Sequence, residues 1–280
     1  ERDIVAVIDP DFLFVKPLTA TMTGAQDAPG WDDGQERPTK VQKGVVAAQR
    51  WGMAWMTDSK EPWKPNIDEH PSNMTDAELL TWLCSGSVDG TSGCTGITRH
   101  EVGYYHATGV PYLAHKEDWD EWLADSWKDI TERLHTVYKG YYVDMWSWMM
   151  ANMHRGKREL VVSNLMLAKV HARQGDVPLE PWAPVDELTA DACKDPMGEI
   201  LANPNHAHFI HYCQPSPPAW NKYWFDQWHQ DGEHVLERCD ATPEDPHLVN
   251  FVAGSVNMTD RSEAFIPCVV RRHFAAALQR

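Results

Sequence analysis

Two carboxylates stand one residue apart at the end of an apolar run, where Ile4-Val5-Ala6-Val7-Ile8 leads into Asp9-Pro10-Asp11. Hard oxygen ligands of this kind suit Mg²⁺ or Mn²⁺, and such an ion bridges the diphosphate of a nucleotide. It neutralises the charge that builds on a departing phosphate. A third ligand is available in His211, which ends the strand-like run Ala207-His208-Phe209-Ile210. A neutral imidazole joining two carboxylates is a sound Mn²⁺ set. His208 shares its in–out parity with Ile210 and not with His211, so the two histidines differ in facing by at most a strand's alternation.

Other readings of these residues stay open. A D-x-D also forms the nucleophile loop of haloacid-dehalogenase-like phosphatases, but a small or hydroxyl residue follows there, whereas Phe12-Leu13-Phe14 follow here. His229-Gln230-Asp231 holds part of a 2-His-1-carboxylate iron set, in polar surroundings that favour a plain loop. Asp144 lies in the aromatic segment Tyr141-Tyr142-Val143-Asp144-Met145-Trp146-Ser147-Trp148. A carboxylate amid so much apolar surface is costly to bury unpaired. It either caps or pairs within its helix, or faces a cleft and binds sugar hydroxyls.

The elements that must position these groups are legible in outline. The run Ile4–Ile8 reads as a buried strand of an α/β sheet, delivering Asp9 and Asp11 to the carboxyl edge where such folds bind ligands. Residues 19–44 and 56–75 read as long loops rich in Gly, Asp, Thr and Pro. A helix is expected over 76–83, with Thr75 and Glu78 as a capping box. A stronger one begins after Asp118, where Trp119, Trp122, Leu123, Trp127, Ile130, Leu134 and Val137 recur at helical spacing, with Asp118 and Glu121 as its cap pair. Tyr141–Arg155 reads as a helix ended by Gly156, residues 173–208 as a Pro- and Asp-rich excursion, and Ala207–Tyr212 as a strand. From Ser262 onward the pattern is helical, broken at Pro267. With no repeat and no compositional break, residues 1–280 read as one domain.

Composition narrows the function classes. With 25 Lys+Arg against 41 Asp+Glu in 280 residues, the net charge is −16, which argues against nucleic acid as a partner. No stretch reaches the roughly 18 apolar residues of a spanning helix, so a membrane anchor is expected only upstream of residue 1. Opening almost directly on a core strand, the chain is expected to be N-terminally truncated. Fourteen Trp either fill a core or line a sugar-binding cleft, where flat rings stack on pyranose C–H faces. Six cysteines carry no CxxC pair, and an even number is compatible with up to three disulfides. A bridge between Cys84 and Cys94 would staple the Gly/Ser-rich loop between them. The sequons Asn73-Met74-Thr75 and Asn257-Met258-Thr259, taken with the cysteines, favour a secretory-pathway lumen, Golgi or ER.

Ile8-Asp-Pro-Asp-Phe-Leu-Phe-Val-Lys-Pro-Leu18 resembles the metal-binding segment of peptidyl serine α-galactosyltransferases and hydroxyproline O-arabinosyltransferases, which have the GT-A fold. Gly44–Trp55 (GVVAAQRWGMAW) is similar to the segment that follows in that family. Thr108-Gly-Val-Pro-Tyr112 resembles its VGVPY region, and Val143-Asp-Met-Trp146 its EMYGY helix, with Asp in place of Glu and Trp-Ser-Trp in place of Tyr-Gly-Tyr. His211-Tyr-Cys-Gln214, Cys239 and Cys268 fall in the family's order, so the resemblance spans nearly the whole chain.

The resemblance implies an α/β GT-A domain that moves galactose or arabinofuranose from a UDP-sugar donor to a Ser or hydroxyproline hydroxyl of a secreted protein, retaining anomeric configuration. It implies Asp9, Asp11 and His211 as ligands of Mn²⁺ (or Mg²⁺), and Asp144 as the residue contacting donor sugar or acceptor. It also implies a nucleotide-binding half ahead of Asp9. A protein of different class, a non-catalytic carbohydrate- or peptide-binding domain derived from such an enzyme, would keep the aromatic cleft and lose metal-dependent UDP-sugar binding.

Overall fold

The short polar helices of the chain start where their caps dictate. The structure is a computed structural model that describes residues 3–10, 12–22, 38–50, 73–106, 108–119, 124–140, 142–167, 197–211 and 269. Helix α1 (Asp76–Ser85) begins on the expected capping box: Thr75 Oγ1 accepts from Glu78 N at 3.3 Å, and Glu78 Oε2 accepts from Thr75 N at 2.7 Å. The following helix α2 (Arg99–Tyr105) uses the same device with Thr98 and Glu101. At the far end of α1, Gly86 takes φ +82°, the left-handed position that terminates helices and that side chains resist.

Two compact units emerge, each assembled from separated stretches: Glu1–Ile8 with Thr19–Ser163, and Asp9–Leu18 with Asn164–Arg280. The first holds a four-stranded mixed sheet built from β1 (Ile4–Val7), β3 (Val46–Arg50), β4 (Thr108–His115) and β5 (Glu159–Val162) in the order β1-β4-β3-β5. The pairs β1/β4 and β3/β4 are antiparallel, and β3/β5 is parallel. The second holds a three-stranded sheet, β2 (Phe12–Phe14), β6 (Met166–Leu167) and β7 (Phe209–His211), ordered β2-β7-β6, with β2/β7 antiparallel and β6/β7 parallel. The α/β class with mixed sheets is thus a property of both units.

The first unit's core lies between its sheet and the helices α4 (Ala124–Val137) and α5 (Val143–His154). Tyr112 of β4 stacks on Trp148 of α5 at 4.2 Å between ring centroids, with Trp127 of α4 edge-on to both. Trp146 and Trp148 are buried while Trp82, Trp119 and Trp127 are half-buried, so the described tryptophans serve the core. Ser147 ties the helices: it donates to Val143 O and accepts from Trp127 Nε1 and Thr131 Oγ1. The disulfide expected between Cys84 and Cys94 is present.

Two expectations are corrected here. Among the described residues Ile4–Val7 pairs only with β4, at the edge of the sheet, and Val5 remains 41 % exposed. An all-apolar tetrapeptide is equally suited to either place, and pattern alone cannot choose. Asp118 does not cap the helix expected after it. It ends the turn α3 (Lys116–Asp118), whose N-cap is His115, and its buried carboxylate accepts the Gly44 N–H at 3.0 and 2.9 Å, while α4 is helical as expected. Glu121 and Trp122 lie outside the described residues, as do most of the loop over 56–75 and all of the segment after Ser262 except Val269. In place of the last part of the 173–208 excursion stands a short helix, α6 (Met197–Ala202).

Candidate functional site

Asp9 and Pro10 are favoured at the first two positions of a β-turn, Pro because its ring presets φ. That turn forms: Phe12 N donates to Asp9 O at 3.2 Å. The chain therefore reverses into β2 immediately after Asp9. In the antiparallel β2/β7 pair, Phe12 sits opposite His211. Their rings lie 4.6 Å apart, and Phe12 also packs at 5.7 Å on Phe209. This wedge leaves the His211 Nε2 at 3.8 Å from Asp9 Oδ2. His211 is buried while the Asp9 side chain is 40 % exposed, so the carboxylate forms the wet rim of the pair.

Strand β7 is held in place from its N-terminal side. Lys16 Nζ donates to Asn203 O and Pro204 O at 2.8 and 2.9 Å, closing the loop after α6. His208 Nδ1 donates to Pro17 O at 2.8 Å, while its own carbonyl accepts from Val15 N and its own N–H donates to Leu165 O. Burial lowers the affinity of both His208 and Lys16 for their protons. Burial pushes His206 down to about 4, which keeps it neutral at physiological pH. His208 turns to the Pro17 carbonyl, and His211 approaches Asp9.

The pair fits a divalent ion in both chemistry and reach. Carboxylate and neutral imidazole are accepted ligands of Mn²⁺, and 3.8 Å lies beyond a hydrogen bond but within the ~4 Å that two donors span around one ion. Among the described residues no three His, Cys, Asp or Glu groups gather into a metal site. Asp11, the expected third ligand, lies outside the described residues, as do Tyr212–Gln214, His229–Asp231, Cys193, Cys213, Cys239, Cys268 and Asn257.

What carries the pair together also differs from the sequence argument. Among the described residues β1 pairs antiparallel with β4, so the strand ahead of Asp9 has no parallel neighbour there. A β-turn and the β2/β7 register do so instead.

Asp144 belongs to the first unit, whereas Asp9 and His211 belong to the second. It occupies the first turn of α5, where free N–H groups and the helix dipole favour a carboxylate. Burial nevertheless raises its proton affinity above the ordinary carboxylate range, and bonds from the Met145 and Asp144 N–H groups only partly offset this. The carbonyl of Asp144 accepts from Trp127 Nε1 at 3.0 Å.

Comparison with family models, curated proteins and solved structures found no match to this chain. Among the described residues no helix is long and apolar enough to cross a membrane.

One polar cluster escaped the sequence reading altogether. The fully buried Glu159 carboxylate, at the start of β5, accepts from Trp148 Nε1 at 2.9 Å and Thr108 Oγ1 at 2.7 Å, and meets His106 Nδ1 at 3.3 Å. Its partners come from α5, the start of β4 and the end of α2. Only the run Glu159-Leu160-Val161-Val162, an acid opening an apolar tetrapeptide, hinted at it.

Proposed function

We propose that this chain is, or is part of, a metal-dependent retaining glycosyltransferase of the GT-A class that glycosylates Ser or hydroxyproline. The observation that carries the reading is the approach of His211 to Asp9, two residues from separate motifs that each suit a metal. The resemblance of five segments in order adds the reaction class.

In this reading Asp9 and His211, with Asp11, hold Mn²⁺ or Mg²⁺, which when bound offsets charge on the UDP-sugar diphosphate. The chain's own contribution is positioning. Phe12 fixes the plane of the His211 ring, and Lys16 and His208 fix the strand that bears it. Asp144, half-buried in the first turn of α5, is the residue the resemblance assigns to sugar or acceptor hydroxyls. The acceptor oxygen bonds to the anomeric carbon as its bond to the phosphate oxygen breaks, and the acceptor proton passes to the departing diphosphate. No enzymic nucleophile is required. The Cys84–Cys94 disulfide supports a lumenal, oxidising setting.

The test is transfer from UDP-galactose and UDP-arabinofuranose to Ser- and hydroxyproline-containing peptides, with Mn²⁺ and with chelator. Support is a glycosylated peptide formed only with metal and lost in Asp9→Asn. Metal-independent binding of glycans with no transfer from any donor would replace this reading with a non-catalytic binding domain.

A further inference from the structure

We propose that Asn73 carries an N-linked oligosaccharide, attached before helix α1 forms, so that folding of α1 closes the modification window. Asn73 is exposed in the turn that leads into α1, outside any strand or helix, so a glycan there displaces no packing. The sequon is completed by Thr75, whose hydroxyl is the group the transferring enzyme must engage.

In the folded chain that hydroxyl is already committed. Thr75 Oγ1 donates to Glu78 Oε2 at 2.8 Å and accepts from Glu78 N at 3.3 Å. Opening it removes the capping box from the start of the helix. The other end of α1 is closed by the Cys84–Cys94 disulfide and by Arg133, which donates to Leu83 O and Cys84 O. These contacts hold α1 against release once the bridge has formed. The disulfide is also an independent sign of the oxidising compartment in which N-glycosylation takes place.

The step balances. The anomeric carbon of a lipid-linked oligosaccharyl diphosphate leaves its phosphate oxygen and bonds to Asn73 Nδ2, and one amide proton departs with the lipid diphosphate.

The inference stands apart from the transferase reading. To test it, the full chain is secreted from eukaryotic cells and its peptides are mapped after enzymatic deglycosylation in heavy-oxygen water. Label at residue 73, absent in Thr75→Ala and retained in Thr75→Ser, is expected. Recovery of unlabelled Asn73 from the folded wild-type chain overturns the proposal, whether or not Asn257 is labelled. The order of events is read with microsomes. The reduced and alkylated full chain should accept a glycan at Asn73, whereas the folded, oxidised chain should not. Equal modification of both would overturn the closing of the window by α1.

Discussion

The Nε2 of His211 lies 3.8 Å from the Oδ2 of Asp9, and the His211 ring packs against Phe12, directly opposite it in the β2/β7 pair. The ring-to-ring contact of 4.6 Å leaves the imidazole little room to swing away from the carboxylate. Phe12→Leu keeps an apolar side chain but loses the flat wedge. It should cost about 1 kcal/mol in urea unfolding and weaken Mn²⁺ binding by a larger factor than that stability loss accounts for. Mn²⁺ affinity unchanged in Phe12→Leu would remove Phe12 from the positioning role.

The Glu159 cluster predicts a stability effect far from the Asp9–His211 pair. Its carboxylate accepts two short hydrogen bonds and faces a histidine in a fully buried site. Glu159→Ala strands Trp148 Nε1, leaves Thr108 Oγ1 only its long bond to the His106 carbonyl, and should cost about 3–5 kcal/mol. Thr108→Val should cost about 1–2 kcal/mol, and in Glu159→Ala it should cost almost nothing further. Additive losses in that double-mutant cycle would show that the two groups do not interact.

Arg133 and the disulfide close the C-terminal end of α1 together. Replacing Cys84 and Cys94 by Ser opens a short loop and should cost about 3 kcal/mol by loop-closure entropy. Arg133→Met leaves two helix carbonyls unanswered and should cost about 1–2 kcal/mol. Denaturant unfolding of each variant checks both figures, and a neutral Arg133→Met would mean that water serves those carbonyls equally well.

Acid should loosen the second unit through His206. Burial lowers its value from 6.5 to about 4, so between those limits the unfolded chain binds a proton that the native chain refuses. Stability is therefore fully present above pH 6.5 and is lost as pH falls towards 4, by up to about 3 kcal/mol. His208, shifted by burial in the same direction, adds to the slope. His206→Gln should flatten stability against pH in that window, as followed by urea midpoints across it. An unchanged slope would assign the acid sensitivity elsewhere.

Local rules made parts of this fold legible. Thr75-x-x-Glu78 announced α1, Gly156 closed α5, and the extended Ala207–His211 run contained β7. The same capping rule applied to Thr98-x-x-Glu101 would have found α2. What could not be read were the pairings. Among the described residues only β4 flanks β1, leaving Val5 exposed, and Asp118 turned from an N-cap into a partner of Gly44. Both depend on contacts between residues far apart in sequence. Asp9 and His211 were selected on ligand chemistry, but the turn and strand register that join them come from Pro10 and Phe12, which carry no chemistry of their own. Glu159 was invisible for the same reason, since each of its donors lies on a different element.

The central claim is most directly met by calorimetric titration of UDP with and without Mn²⁺, on the wild-type chain and on Asp9→Asn, Asp11→Ala and His211→Ala. UDP binding is expected to require Mn²⁺ in the wild type and to fall at least tenfold in each variant, with the fold retained. Binding that is indifferent to Mn²⁺, or that survives loss of both Asp9 and His211, would contradict it.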